Sequence, residues 1–380
     1  MFINIFGSTG TIGTKSLDLV YKYFPELSID LITANNNCNK FILQIKKYQP
    51  KAVYINNENH YKILKKNIPK NILILNKFDI HDYLINSKTD LTILAISGIC
   101  ALEYIRSISL NTSNLGLVNK ESIVSSGHLL NRILSKNNTK LFPLDSEHYS
   151  LNNLNINNKN IKKIYLTASG GPFLNINPDN IYKAKISQVI KHPKWKMGRK
   201  NSIDSATLSN KILEIIEAKY LFNLPLNKLD IVIHPEAFIH SIVEQNDFQS
   251  NLNYFYPDMS IPIINFISKV SLTKPLLINK NKFLFKKSNQ LNFYNVDINK
   301  FPIYKLLKEI DFDNPVNAIK FNIANEYAVN LFLAKKIQFG DIYKNICEFM
   351  LIDINSSTKS IENVINIHYE FISLLNKKYL

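Results

Sequence analysis

An α/β fold is the class the sequence predicts, and three observations predict it. The chain opens on an apolar strand, a glycine loop and a helix-like segment, MFINIFGSTGTIG followed by Lys15–Tyr23. Short apolar runs then alternate with helical segments along the first half. From Lys300 onward the pattern turns helical. A βαβα rhythm gives a parallel, doubly wound, Rossmann-like sheet, and a later helical run gives a separate helical bundle.

The strands expected in the first part are FINIFG, Ser28–Ala34, Lys51–Ile55, Asp90–Ile96 and Leu115–Asn119, with a helix over Lys40–Tyr48. IKKIYLTAS and LDIVIHP read as two further strands beyond residue 150, and Ser205–Tyr220 as a helix. The Asn-rich stretch Leu151–Asn160 reads as a low-complexity loop. Polar, Pro-containing sequence over Lys269–Val296 reads as a connection. Ala324–Ile337 and Ser360–Leu375 are helical.

With 380 residues the chain holds two or three cores. Its formal charge is +16, which would suit nucleic acid, but the lysines are scattered among Asn and Ile rather than gathered on one element. Solvated surface lysines are the favoured reading, with no nucleic-acid partner. No apolar run reaches the ~20 residues of a membrane span. The N-terminal sequence lacks a secretory pattern, so the expected location is the bacterial cytoplasm. Cys38, Cys100 and Cys347 are far apart with no CxxC, which argues against disulfides and thiolate zinc.

Gly7, Gly10 and Gly13 follow a strand and open a helix, the context in which a glycine turn binds a dinucleotide pyrophosphate. The second strand ends Ala34-Asn35-Asn36-Asn37, with no carboxylate to select the 2′-hydroxyl of NAD, which favours NADP(H).

Asp145 and Glu147 form a carboxylate pair at i, i+2. On an extended chain both point the same way and suit a hard divalent cation such as Mg²⁺ or Mn²⁺; alone, such a pair is usually a solvated loop. Glu214 offers a third carboxylate, on the face of its helix that carries Asn210. Glu217 reads as solvated or capping. Ser169 in a Ser-Gly-Gly-Pro turn, Ser205 near a helix start, Asn210 and Lys211 together suit a phosphate, although each serine is by itself an ordinary cap or turn residue. Between Gly171 and the following helix, His192, Trp195, Met197 and Arg199, with Gly198 near its end, mark a mobile cover, with Lys194 and Lys196 beside the tryptophan. Asn119-Lys120-Glu121-Ser122 ends a sheet strand, where open α/β folds bind ligands. His240 is a candidate behind the site or on the cofactor side.

The ordered motifs GSTGTIG, LVNKESIV, PLDSEH, TASGGPF, HPKWKMGRKNSIDSATLSNKILEIIEA, IHPEAFIHS, YPDMSIPI and ANEYAV span nearly the whole chain. The chain resembles the 1-deoxy-D-xylulose-5-phosphate reductoisomerase family. That resemblance implies an NADPH- and metal-dependent enzyme that rearranges and reduces 1-deoxy-D-xylulose 5-phosphate to 2-C-methyl-D-erythritol 4-phosphate in non-mevalonate isoprenoid synthesis. It implies Asp145, Glu147 and Glu214 as ligands of Mg²⁺, Mn²⁺ or Co²⁺. Lys120, Glu147, His192 and Trp195 are implied in catalysis. Lys120, Ser146, Glu147, Ser169, His192, Ser205, Asn210, Lys211 and Glu214 are implied on the substrate. Thr9, Gly10, Thr11, Ile12, Asn35, Asn36, Asn37, Asn119, Glu121 and Gly198 are implied along NADPH. It also implies a homodimer, and a division into an NADPH domain (1–150), a catalytic and dimerisation domain (151–268) with a flap over 169–199, a linker (269–294) and a C-terminal helical domain (295–380). The sequence departs from the family where Asn36 replaces a Lys in the cofactor turn and where Glu236, Ala237, Phe238, Phe248 and Phe255 stand. A metal-free NADP-dependent dehydrogenase is the competing enzyme reading, and a basic nucleic-acid-binding protein the competing non-enzyme one.

Overall fold

The computed structural model describes residues 1–379 other than 155, 157–159, 196, 274–289 and 355. The chain forms two compact units. One comprises Met1–Asn119, Leu130–Asp145 and the segment that starts at Asp258; the other comprises Lys120–Leu129, Ser146–Pro257 and the C-terminal segment.

The first unit is a parallel sheet of seven strands: β1 (Phe2–Phe6), β2 (Ser28–Ala34), β3 (Ala52–Ile55), β4 (Leu73–Leu75), β5 (Thr89–Leu94), β6 (Thr112–Leu117) and β7 (Lys140–Pro143). Their spatial order is β4-β3-β2-β1-β5-β6-β7, so the winding reverses between β1 and β5. That reversal opens a crevice at the strands' carboxyl ends, and the glycine loop leaves β1 there. The crossovers are α1 (Thr11–Tyr23), α2 (Cys38–Tyr48), α3 (Tyr61–Asn67), α4 (Asp79–Asn86), α5 (Leu102–Asn111) and α6 (Lys120–Lys136). Covered on both faces, β1, β2 and β3 are buried along nearly their whole length rather than at alternate positions, Asn4, Asp30 and Thr33 included. Ile3, Ile5, Ile32 and Ile93 pack with Leu17 and Val20 of α1 and Phe41 and Ile45 of α2. Ile263, Phe266 and Ile267 join the same core from a later helix.

The second unit holds α7 (Ser146–Asn152), β8 (Ile161–Ala168), α8 (Ile186–Val189), α9 (Arg199–Thr207), α10 (Ser209–Phe222), β9 (Leu229–Ile233), β10 (Ile239–Gln245) and β11 (Ser250–Tyr254). The strands form a mixed sheet in the order β11-β10-β8-β9; β8 and β9 are parallel and the other pairs antiparallel. The apolar helix of the first unit's core is α11 (Ser260–Ser271), so the start of the expected linker is helical and most of the rest lies outside the described residues. Part of the expected Asn-rich loop also lies outside them, and α7 reaches into its beginning. Next come α12 (Leu306–Glu309), α13 (Pro315–Leu333), α14 (Asp341–Met350) and α15 (Ile361–Tyr379), which form the helical end of the second unit. Asn314 caps α13 through its side chain on Val316 N at 3.0 Å, with Pro315 at the first helical position. Among the described residues no helix is long and apolar enough to cross a membrane.

Candidate active site

The glycine loop needs its glycines. Gly7 has φ +73°, and a Cβ there would lie 2.5 Å from Ala95 O. A Cβ on Gly13 would lie 2.2 Å from Gly7 O. The turn is closed by Gly10 N–H on Gly7 O at 3.0 Å and tied to β2 by Ser8 N–H on Thr33 O at 2.8 Å. Gly10 caps α1 without a side-chain hydrogen bond, so the first-turn N–H groups at Thr11 and Ile12 face no competing cap oxygen. These features fit a dinucleotide pyrophosphate. Asn35, Asn36 and Asn37 follow β2, and Asn119 follows β6, where its amide donates to Ile96 O and to Gly98 O (2.9 Å).

The carboxylates belong to the second unit and its first residue's neighbour. Asp145 is joined to that unit by its peptide bond to Ser146, which opens α7. The pair Asp145–Glu147 therefore does not lie on an extended chain, as its spacing predicts. It straddles a helix start, where N–H groups favour negative charge. Asp145, Glu147 and Glu214 each bring one oxygen within 4.8 Å of the others. Two ammonium groups face them. Lys120 Nζ lies 2.9 Å from Glu214 Oε1 and 2.7 Å from Asn210 Oδ1. Lys211 Nζ donates to Glu147 and to Glu214, and Ser146 Oγ donates to Glu147 Oε2 at 2.6 Å. Among the described residues, three carboxylates and two ammoniums gather here, and the carboxylates are hard oxygen donors. That donor set fits a divalent cation of the Mg²⁺ or Mn²⁺ kind.

The expected phosphate group is divided. Asn210 and Lys211 sit on the carboxylates, whereas Ser169 Oγ bonds His192 Nε2 at 3.0 Å. Ser205 is not near a helix start. Leu208 adopts φ +73° and breaks the expected continuous helix, which leaves Ser205 in the last turn of α9. A Cβ on Gly171 would come within 3.1 Å of Ser205 O, so the Ser169 turn and the end of α9 lie against one another.

His192 Nδ1 accepts N–H bonds from Trp195 (2.9 Å) and Lys194 (3.2 Å). Its proton therefore rests on Nε2 and donates to Ser169. Burial, then the charge of Lys211, lowers its pKa to about 4, so the ring is neutral at physiological pH. Trp195 is half-buried with its ring edge-on to His240 at 6.2 Å; Lys196 lies outside the described residues. Gly198 precedes α9 with open space where a Cβ would stand. Glu121, in the first turn of α6, lies 3.5 Å from Lys200, which also holds Asp204 at 2.8 Å.

Glu217 is neither solvated nor a cap. It is buried 3.3 Å from His148 Nδ1, while His148 Nε2 reaches Glu214 O at 2.9 Å. His148 thus ties α7 to α10, the two helices that carry Glu147 and Glu214. Sequence reading missed it. Its one signal was a histidine directly after the acidic pair.

Fold and site define a class: an α/β enzyme that pairs a dinucleotide loop with an oxygen-donor cation site. The 1-deoxy-D-xylulose 5-phosphate reductoisomerase profile matches residues 3–127, its C-terminal domain profile residues 141–222, and the DXP reductoisomerase C-terminal domain profile residues 256–371. The chain belongs to the 1-deoxy-D-xylulose 5-phosphate reductoisomerase family. The enzyme of that name from Pelagibacter ubique is 39% identical over 346 residues, which cover 90% of this chain and 88% of that protein. The one from a Sulfurihydrogenibium species is 36% identical across 99% of this chain and 98% of its own. Among solved structures, DOX-P reductoisomerase in complex with NADPH, fosmidomycin and magnesium superposes with a TM-score of 0.87 at 27% identity, covering 100% of this chain and 98% of that one. The Zymomonas mobilis enzyme in complex with NADPH gives 0.86 at 31% identity, covering 97% and 96%.

Proposed function

We propose that this chain carries out the reaction of its family. It converts 1-deoxy-D-xylulose 5-phosphate to 2-C-methyl-D-erythritol 4-phosphate by rearrangement of the carbon skeleton and reduction with NADPH, using a divalent metal. The observation that carries the reading is the convergence of Asp145, Glu147 and Glu214 against Lys120 and Lys211. It also weighs against a metal-free dehydrogenase.

A bound divalent cation supplies Lewis acidity to the ketone and adjacent hydroxyl oxygens, and NADPH supplies the hydride. The chain's own residues do the rest. Asp145, Glu147 and Glu214 hold the metal. Lys120 and Ser146, already hydrogen-bonded to Glu214 and Glu147, stand next to the substrate oxygens and hold them in one orientation. Lys211 and Asn210 exchange their carboxylate contacts for the substrate phosphate, with Ser169 and Ser205. Neutral His192 keeps Ser169 aimed through its Nε2–H, and Trp195 covers the site and excludes water. Grip on the phosphate contributes binding energy remote from the reacting carbons. Thr9, Gly10, Thr11 and Ile12 line the cofactor pyrophosphate with Asn35, Asn36 and Asn37 beyond; Asn119, Glu121 and Gly198 complete the cofactor contacts.

In this reading residues 1–150 bind NADPH, 151–268 carry catalysis and dimerisation with a flap over 169–199, 269–294 link, and 295–380 close the chain. A homodimer is part of it. The edge strand β11 and the exposed Phe248 and Leu252 at and beside it support a second copy there. So is a bacterial cytoplasmic location.

The test is loss of NADPH absorbance with 1-deoxy-D-xylulose 5-phosphate and Mg²⁺, repeated with EDTA and with Glu214→Gln. Turnover is expected to need all three components. The substitution should cost at least about a hundredfold in kcat, as loss of one charge-stabilising group in a preorganised site does. Turnover that survives EDTA and the variant would sink the metal reading.

A further inference from the structure

The end of β2 presents an unusual surface for a nucleotide carrying a 2′-phosphate. It has no carboxylate, but Asn35, Asn36 and Asn37 bring no cation either. Instead, asparagines from two neighbouring strand ends interlock. Asn56 Nδ2 donates to Asn35 Oδ1 at 3.2 Å, and Asn57 Nδ2 donates to Asn36 Oδ1 at 3.0 Å. Asn37 Oδ1 accepts from Lys40 N at 3.2 Å and so caps α2. With their carbonyl ends engaged, Asn35 and Asn36 keep their –NH₂ ends as donors. Amide donors alone recognise an oxygen. They do not offset the roughly −2 charge of a phosphate monoester.

The missing charge comes from one turn into α2. Lys40 Nζ lies 2.9 Å from Thr9 O, in the glycine loop itself. Its side chain therefore reaches from the helix turn that Asn37 caps to that loop, and its partner there is a neutral carbonyl rather than a carboxylate. A lysine bound to a single carbonyl gives up little when an anion arrives, because a phosphate oxygen replaces a neutral acceptor with a charged one. Other lysines of this region are already committed to acids: Lys15 to Asp258 at 2.8 Å, and Lys47 to Asp18 at 2.9 Å.

We propose that Lys40 is the residue that selects NADPH over NADH: it leaves Thr9 O to pair with the 2′-phosphate, with the interlocked Asn35 and Asn36 as neutral donors beside it. The inference rests on the NADPH reading above and names the residue that produces the preference.

The test measures binding rather than turnover. Full-length protein, without substrate or metal, is titrated with NADPH and with NADH by nucleotide fluorescence, for wild type, Lys40→Met and Lys40→Arg. Thermal melting checks that each is folded. Wild type is expected to prefer NADPH. Lys40→Met should weaken NADPH at least tenfold and leave NADH within about twofold, and Lys40→Arg should keep most of the preference. Equal weakening of both nucleotides would mean that Lys40 only braces the loop through Thr9 O, which overturns the proposal. Undiminished discrimination in Lys40→Met overturns it as well, and leaves the NADPH reading standing. A wild type that binds the two nucleotides equally would instead remove the NADPH reading, and this inference with it.

Discussion

At the scale of single residues the site is a problem of charge placement. Lys211 serves as the counter-ion of Glu147 and Glu214. The same ammonium, after burial, is what keeps His192 neutral. The consequence for stability has a definite sign. The folded pKa of about 4 lies below the ordinary histidine value, so between the two the unfolded chain binds the proton and the folded one does not. Stability from this group is complete above about pH 7 and falls as the pH drops toward 4. Urea unfolding of wild type and His192→Gln across that range should show a gap that shrinks with acid, by about 3 kcal/mol at most. A gap that is constant with pH would mean that His192 titrates normally and that its bond to Ser169 does not fix its charge.

Individual elements show where a local rule is overruled. Gly13 lies within α1, where replacing glycine by alanine ordinarily gains about 1 kcal/mol of helix propensity. Here the new Cβ would meet Gly7 O, Ser8 Cα and Gly7 C at 2.2, 2.7 and 2.8 Å, all main-chain atoms that cannot rotate away. The clash outweighs the propensity. Gly13→Ala should lower the melting temperature and weaken NADPH at least tenfold in the same fluorescence titration. Unchanged affinity would mean that the loop does not hold the pyrophosphate. The elements of this sheet were legible in the sequence because both of its faces are covered, so its strands are rich in apolar residues, and because GSTGTIG marks the first crossover. The break at Leu208 was not legible. A leucine at positive φ carries no composition signal, and the buried side chain, 1% exposed, is what holds it there. Ser205 was therefore placed at the wrong end of a helix. Glu217 was misread for a related reason: α10 is buried without a break from Lys211 to Ala218, so a polar residue there need not face water. The grouping of Asp145, Glu147 and Glu214, by contrast, was legible: the three acids expected together each bring an oxygen within 4.8 Å of the others.

For the whole molecule, discontinuous packing and net charge are the properties that matter. Helix α11 follows the second unit in sequence and yet fills the core of the first with Ile263, Phe266 and Ile267. Periodicity reports that such a helix is apolar on one side, and not which sheet receives it. The charge can be tested. Lysine and arginine outnumber aspartate and glutamate by 46 to 30, and the excess is spread along the chain. Both reactants in the proposed reaction are anions, and a positive field raises their encounter rate in a salt-dependent way. The Debye length shrinks from about 10 Å at 0.1 M salt to about 3 Å at 1 M, which removes the long-range part of that field and leaves buried pairs such as Lys211–Glu214 almost untouched. Raising ionic strength over that range should therefore lower kcat/KM for NADPH several-fold and leave kcat at saturation nearly constant. The same experiment in added glycerol separates two routes to that loss. A salt effect that persists where kcat/KM is insensitive to viscosity reports weaker phosphate binding at the site; one that appears only where kcat/KM falls with viscosity reports steering by the surface. If kcat/KM is flat with salt, the excess lysines are solvated surface only, and all of the recognition charge lies with the few cations that touch the ligands.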